Sequence, residues 1–341
     1  MIGALSMLAL TLGVGAILLS IVWLGTDGWR TENIRPALAG LILAGFGLVL
    51  PVDSSPAING SAPAQIQAPG PITNSLNLPT QPTISVRLGV ACKTDVDGQG
   101  SCWGSRVPVP QQAIHKVVLG RAHGCALMQT GELSCWGSSS RDAEELTGHR
   151  FADAASTLHT TCGLTAQGAL HCFGRDLGMP PSGHRLEQIT GGADHFCALT
   201  ETQQAFCWGQ DTDGQLEVPE GVLFRRLSAG HFHTCGITAE GQTTCWGRDI
   251  EGQSSPPPTS EFSEISAGWS HTCGLTAEGQ AVCWGCAGRH THLQVGGTEA
   301  CSPPSSSFTA IAAGDLWQSC GLSSEGEVAC WGGISRPGGS G

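Results

Sequence analysis

The sequence predicts an all-β fold, a seven-bladed β-propeller built from disulfide-stapled hairpins and preceded by two N-terminal transmembrane helices. Three observations lead there: a recurring Cys-Trp-Gly motif, a second cysteine at constant distance before each copy, and two apolar runs at the N-terminus. Cys-Trp-Gly stands at 102–104, 135–137, 207–209, 245–247, 283–285 and 330–332, and Cys172-Phe173-Gly174 is a variant, which makes seven copies. Their spacings of 33, 37, 35, 38, 38 and 47 residues describe units too small to bury a core singly, so the units must stack.

Ten residues before Cys102, Cys135, Cys172, Cys207, Cys245, Cys283 and Cys330 stand Cys92, Cys125, Cys162, Cys197, Cys235, Cys273 and Cys320. The run from Cys273 to Cys283 shows why the distance is ten. Two β-like segments flank Ala277-Glu278-Gly279, and a three-residue hairpin loop wants glycine at its third, left-handed place. Thr276 then faces Gln280 and Cys273 faces Cys283, with opposed Cα atoms close enough for a disulfide. Gly98, Gly131, Gly168, Gly241, Gly279 and Gly326 supply that glycine; Gln203 does not, so the fourth hairpin should have a different or strained loop. Zinc knuckles space their cysteines by two to four residues, which disfavours metal for these pairs. Each crosslink closes a short loop worth up to about 3 kcal/mol in the chain-entropy model.

Upstream of each hairpin lies a further short strand ending in a small-residue turn, as in Leu227-Ser-Ala-Gly230, Ile265-Ser-Ala-Gly268 and Ile311-Ala-Ala-Gly314. Each unit therefore has three strands, or four if the connection pairs. Seven antiparallel units fit a propeller better than a parallel β-helix, whose repeats lack hairpins. Cys283 and Trp284 point to opposite faces, which lets the tryptophan pack on a neighbouring blade.

Residues 2–24 are 23 uncharged, mostly apolar residues, about 34 Å of helix, enough to cross a bilayer core. Residues 36–52 form a second apolar span after a polar bridge, 25–35, that contains Asp27, Arg30, Glu32 and Arg35. Cleavage at Ser55-Pro56-Ala57 is the alternative for this segment. The arginines place the bridge in the cytoplasm, and the chain after residue 52 outside. Ala9 with Gly13, and Gly40 with Ala44, allow close helix packing, either with each other or within a larger membrane complex. Residues 53–83 read as a Pro/Ser-rich tether, 84–335 as the propeller and 336–341 as a flexible tail.

Composition narrows function. Gly 49, Pro 19 and Cys 16 against 13% charged residues exclude a coiled coil or helical bundle, and a formal charge of −12 removes the basic surface that nucleic acid requires. Sixteen cysteines point to an oxidising compartment. Histidine stands two residues before the first cysteine at His123, His195, His233 and His271, where it can satisfy backbone groups or, less simply, ring a metal. The longest connection carries Cys286 and Cys301 around Arg289, His290 and His292; a loop disulfide is the default and a Cys2His2 metal site the alternative. As the departure from the repeat, this insertion is the candidate interaction loop. Asp95-Val-Asp97-Gly98 and Asp211-Thr-Asp213-Gly214 resemble the start of a calcium loop, but lack the later glutamate and are explained as turns. No catalytic constellation, cofactor motif or small-molecule substrate site is found.

The run Ile265-Ser-Ala-Gly268, His271-Thr-Cys-Gly-Leu275, Gly279-Gln-Ala-Val-Cys-Trp-Gly285, with Gly214-Gln215-Leu216 and Gly252-Gln253 in the connections, resembles the propeller repeats of the regulator of chromosome condensation. The short repeats look closest to the bacterial secreted branch, which includes a propeller-type β-lactamase inhibitor. The resemblance implies the seven-bladed fold and a face that grips another protein. The expectation is a non-enzymatic, membrane-anchored scaffold on the periplasmic or extracellular side, touching the lipid bilayer and serving as accessory subunit of an integral membrane complex. The alternatives are an inhibitor or adhesin-like binder of a soluble or surface protein, and an enzyme with its site in the propeller channel.

Overall fold

The computed structural model describes residues 77–332, apart from 80, 105–109, 139–142, 144, 145, 181, 259, 260, 287–300 and 316. Both expected membrane helices with Ala9, Gly13, Gly40 and Ala44, the tether up to residue 76, the chain after 332, and Arg289, His290 and His292 lie outside the described residues.

Among the described residues, 21 strands form seven three-stranded antiparallel sheets, each from three consecutive strands. The blades span 83–103, 114–137, 151–174, 186–209, 224–247, 264–284 and 310–332, and among the described residues no connection adds a fourth strand. The first strand of every blade borders one central channel of about 220 Å³, so this strand is the inner one and the Cys-Trp-Gly strand the outer. Leu78 precedes the first blade and packs on the core between blades 2 and 3, its N–H donating to Gln129 O at 3.0 Å.

The hairpins have the register that the cysteine spacing requires: Cys273 opposes Cys283, Thr276 N donates to Gln280 O at 2.9 Å, and Gly279 N donates to Thr276 O at 3.0 Å. Cα atoms of the seven paired cysteines lie 4.0–4.1 Å apart, the close spacing of a non-hydrogen-bonded pair drawn together by its crosslink. The left-handed residue also joins blades. Gly279 O accepts from Phe308 N at 2.8 Å, and Gly131 O accepts from Phe151 N at 2.7 Å. The fourth hairpin keeps the same loop, with Gln203 itself at φ 62°, and Gln203 O accepts from Phe224 N at 2.8 Å. A side chain in this conformation costs about 1–2 kcal/mol. Gln203→Gly is therefore expected to raise stability by about 1 kcal/mol after the extra chain entropy of glycine is deducted, read as a higher urea midpoint at unchanged slope.

Seven apolar clusters occupy the seven seams between blades. At the seam of blades 5 and 6, Cys235 and Ile237 meet Phe262, Ile265 and Trp284. The tryptophan thus packs on the preceding blade, and its ring also stacks on Phe262 of its own blade at 5.5 Å. The glycine after the first cysteine makes room for that phenylalanine, since a Cβ on Gly274 would lie 2.5 Å from the Phe262 ring. Size compensates along the chain: Phe151, Phe224, Phe262 and Phe308 face Gly163, Gly236, Gly274 and Gly321, whereas Ile114 and Leu186 stand in the blades that carry Ala126 and Ala198. Such jigsaw filling is what gives a repeat array one packed arrangement.

Candidate functional site

Inner strands of neighbouring blades do not pair with each other, so their backbone groups need other partners. Polar side chains supply them in two tiers. In the first, Asp153 accepts from Ile189 N at 3.0 Å, Gln188 bonds Leu227 N at 3.1 Å, and the Glu264 carboxylate accepts from Ile311 N. Lys116–Asp153 at 2.8 Å and Arg226–Glu264 at 3.5 Å link that tier laterally. In the second, Thr190, Ser228 and Ser266 hydroxyls accept from Ala229, Ala267 and Ala313 N–H at 2.9–3.0 Å. A bulge near the start of the inner strand in blades 2 to 5 directly precedes Lys116, Asp153, Gln188 and Arg226.

Arg87 reaches across the channel at its loop-side end. Its guanidinium donates to Leu119 O and Ser156 O at 3.0 Å and to Gly192 O at 2.9 Å, and its Nε lies 3.8 Å from Asp315. Five blades thereby share one side chain. Burial pushes the guanidinium below its ordinary value, and Asp315 pulls it back. Other blades carry Gly120, Thr157, Gly192, Gly230, Gly268 or Gly314 at this place in the turn. A lone arginine in that column was the sequence signal for the hub, and composition and motif reading passed over it.

The recurrent histidines bond hydroxyls of the next blade rather than backbone groups. Nε2 of His123, His195, His233 and His271 lies 2.8–3.0 Å from Thr161, Thr234, Thr272 and Ser319, respectively. The pairing rule holds all round the ring. Where a blade has Val90, Thr160 or Gln318 instead of histidine, the next blade has Gly124, Phe196 or Ala91 instead of the hydroxyl residue. Thr272 passes its own proton to Gln253 O at 3.0 Å, which makes the His233 Nε2–H the donor. The turn glycine three residues earlier makes space for the ring, since a Cβ on Gly230 would lie 2.8 Å from His233 Nδ1. Burial above all, with smaller contributions from Arg87 at His195 and from neighbouring histidines at both, pushes His195 and His233 down to about 3, and burial pushes His271 to about 4. These rings are neutral structural links, and no group of three or more metal-ligating side chains occurs among the described residues.

The end of the channel closed by Arg87 opens onto a face made of the inner-to-middle turns and the starts of the blade connections, and its residues are unevenly distributed. Blades 2 to 4 present Arg121-Ala122, Leu158-His159 and Ala193-Asp194 there, whereas blades 5 and 6 present His231-Phe232 and Trp269. His231 stacks on Trp269 at 4.4 Å, Arg248 lies over Phe232 at 5.5 Å, and Ile250 on the adjoining connection is 74% exposed. The insertion leaves from this same face. Thr272 opposes Trp284, so Cys286 stands beside the Trp269 turn, and its disulfide to Cys301 closes the insertion at its base with Cα atoms 5.9 Å apart. The opposite, hairpin face carries Glu201, Glu240, Glu278 and Glu325 near its loop tips, which leaves it unsuited to a polyanion. Asp95 and Asp211 accept backbone N–H groups within their own turns, as turn chemistry requires.

The family model of the regulator of chromosome condensation (RCC1) repeat matches residues 114–142, 187–215, 224–253 and 262–290. Among solved structures, the entire ectodomain of the receptor kinase CR4 of Physcomitrella patens is 26% identical, with 75% of this chain and 76% of that chain covered at a TM-score of 0.61. The CRINKLY WD40 ectodomain of the Arabidopsis thaliana receptor kinase ACR4 is 23% identical over 74% of this chain and 95% of that one, at 0.60. Yeast RCC1 (Prp20), in a structure with Kap60, is 17% identical over 69% and 73%, at 0.54. Both receptor ectodomains and yeast RCC1 share the fold.

Proposed function

We propose that this chain, an RCC1-type repeat propeller, is a protein-binding scaffold on the outer side of a membrane, held there by its N-terminal helices as an accessory subunit of an integral membrane complex. One observation carries the binding reading: Phe232, Trp269 and Ile250 gather on one sector of the loop face, beside the base of the single long insertion. Half-buried aromatics beside exposed aliphatic side chains are the composition of interface cores. Eight disulfides and the likeness to receptor ectodomains support an extracellular or periplasmic setting. The two apolar spans with small-residue faces support a second contact within the bilayer, so attachment is bivalent and each contact raises the effective concentration for the other. The channel is crossed by Arg87, and its lining side chains Ser85, Lys116, Thr190, Ser228 and Ser266 are bonded within the fold, so the chain is read as a binder rather than an enzyme.

Co-purification in mild detergent tests this. The full chain, the chain without residues 1–52, and the helical hairpin without the propeller are compared; the full chain should retain the partner best and each part should retain it weakly. Full retention by the soluble propeller alone would reduce the helices to an anchor. Full retention by the hairpin alone would assign the propeller another partner.

A further inference from the structure

Charge on the loop face is sorted by sector. The connections 210–216 and 248–254 border the aromatic sector, where their Gln215 and Gln253 carbonyls accept the Trp246 and Trp284 indole N–H groups at 2.9 and 3.0 Å. They carry Asp211, Asp213, Asp249 and Glu251 against one cation, Arg248. Across the same face, blades 2 and 3 present Arg121 and His159, both exposed, and Arg175, which pairs with Asp194 at 3.2 Å.

The exposed carboxylates are held in place by their own turns. Asp211 accepts from Leu216 N at 3.2 Å, and Asp249 accepts from Ser254 N at 2.8 Å and from the Ser255 hydroxyl at 2.6 Å. Among the described residues neither has a cationic partner. Arg248, by contrast, is committed within the fold: its guanidinium lies 3.8 Å from Asp213, 3.7 Å from Glu251 and 5.5 Å from the centre of the Phe232 ring. Burial, ahead of the opposing pull of Asp315, holds His231 below its ordinary value, so the ring stacked on Trp269 is neutral near pH 7. The charge left uncompensated around Ile250 is therefore negative.

An apolar centre with a charged rim of one sign selects a partner whose rim has the other sign, because the apolar groups leave water together while the rim charges attract across a partly wet border. Given that the loop face is the binding surface, we infer that the sector of Phe232, Ile250 and Trp269 takes a partner segment with an apolar side chain flanked by lysine or arginine. The apolar group sits against Ile250 and Trp269, and the cations lie towards Asp211 and Asp249. Acidic segments and anionic lipid headgroups are repelled by the same carboxylates.

NMR titration of the full, oxidised chain in nonionic detergent at low salt reads this directly. The probes are capped synthetic peptides with a central leucine flanked on both sides by lysines, by serines or by glutamates. The Ile250 methyl and Trp269 indole signals are identified by their loss in Ile250→Val and Trp269→Phe. The lysine peptide should shift both signals and bind about fivefold or more tighter than the serine peptide, the scale of two exposed ion pairs. The glutamate peptide, and a lysine peptide with alanine at its centre, should leave both signals in place. Asp211→Asn combined with Asp249→Asn keeps an acceptor oxygen in each turn and should abolish the preference for lysine, as should salt at about 0.5 M, where screening acts within about 4 Å. Equal affinity for the lysine and serine peptides, or an undiminished preference in the double variant, would overturn the charge assignment and leave the sector standing as a binding surface. Shifts confined to signals around Glu240 on the hairpin face, or no shift at millimolar peptide, would overturn the assignment and count against the loop-face reading as well.

Discussion

Replacing Arg87 with leucine should destabilise the propeller by about 3–5 kcal/mol, the range for stripping one member from a buried charged network. The loss has two parts. Leu119, Ser156 and Gly192 carbonyls would each lose a charge-assisted donor at 2.9–3.0 Å, and the buried Asp315 carboxylate would lose its nearby cation. The carbonyl part dominates, because the Asp315 contact is loose at 3.8 Å whereas the other three are well-formed hydrogen bonds. Asp315→Asn, which keeps an acceptor for Leu88 N, should therefore cost much less than Arg87→Leu, and the double variant should fall short of the sum. Urea unfolding monitored by tryptophan fluorescence gives all three values. A cost for Arg87→Leu below about 1 kcal/mol, the size of an ordinary surface change, would mean that the channel side chain joins nothing.

Stability should fall steeply as the pH drops from about 6.5 towards 5, the interval in which an unfolded histidine takes up its proton. The sign follows from the direction of the shifts. His195 and His233 are pushed down to about 3 and His271 to about 4, so the folded state stays unprotonated while the unfolded state gains protons. Their contribution is fully present above pH 6.5 and is lost as pH falls towards the folded values. Three such groups set a slope on the order of 4 kcal/mol per pH unit while all three remain neutral in the fold. His233→Gln should lower stability at pH 7.5 through the altered bond to Thr272 and flatten the slope by roughly a third. Thermal or urea midpoints at pH 7.5, 6.5, 5.5 and 5.0 measure both. A curve that is flat over this range in the parent chain would show that the histidines are not held neutral across the seams.

Hairpin register and blade number were legible because they depend on local quantities: the two-residue alternation of a strand, a three-residue loop with a left-handed third place, and the recurrence of Cys-Trp-Gly. Gln203 shows the limit of that logic. The loop keeps its shape without glycine, because its carbonyl is held by Phe224 of the next blade, so tertiary context outweighs local preference. Arg87 was not legible by such rules, since its three carbonyl partners lie 32, 69 and 105 residues away and meet only when the ring closes. The histidine links occupy a middle ground. Read down one column of the repeat they look like capping residues; compared between successive repeats, the exchange of histidine plus hydroxyl for Val90 plus Gly124 or Thr160 plus Phe196 reveals a contact between blades. The loop-face sector required the fold, because Phe232, Ile250 and Trp269 become neighbours only through the turn of each blade.

Site-specific photocrosslinking in intact membranes tests the central claim most directly. A photoreactive residue is placed in the full chain at Ile250 on the loop face or at Glu240 on the hairpin face, and the crosslinked product is identified. The scaffold reading predicts one membrane-protein product from position 250 and little or none from 240. The same product from position 240 alone, or no product from either position in a folded and fully oxidised chain, would contradict it.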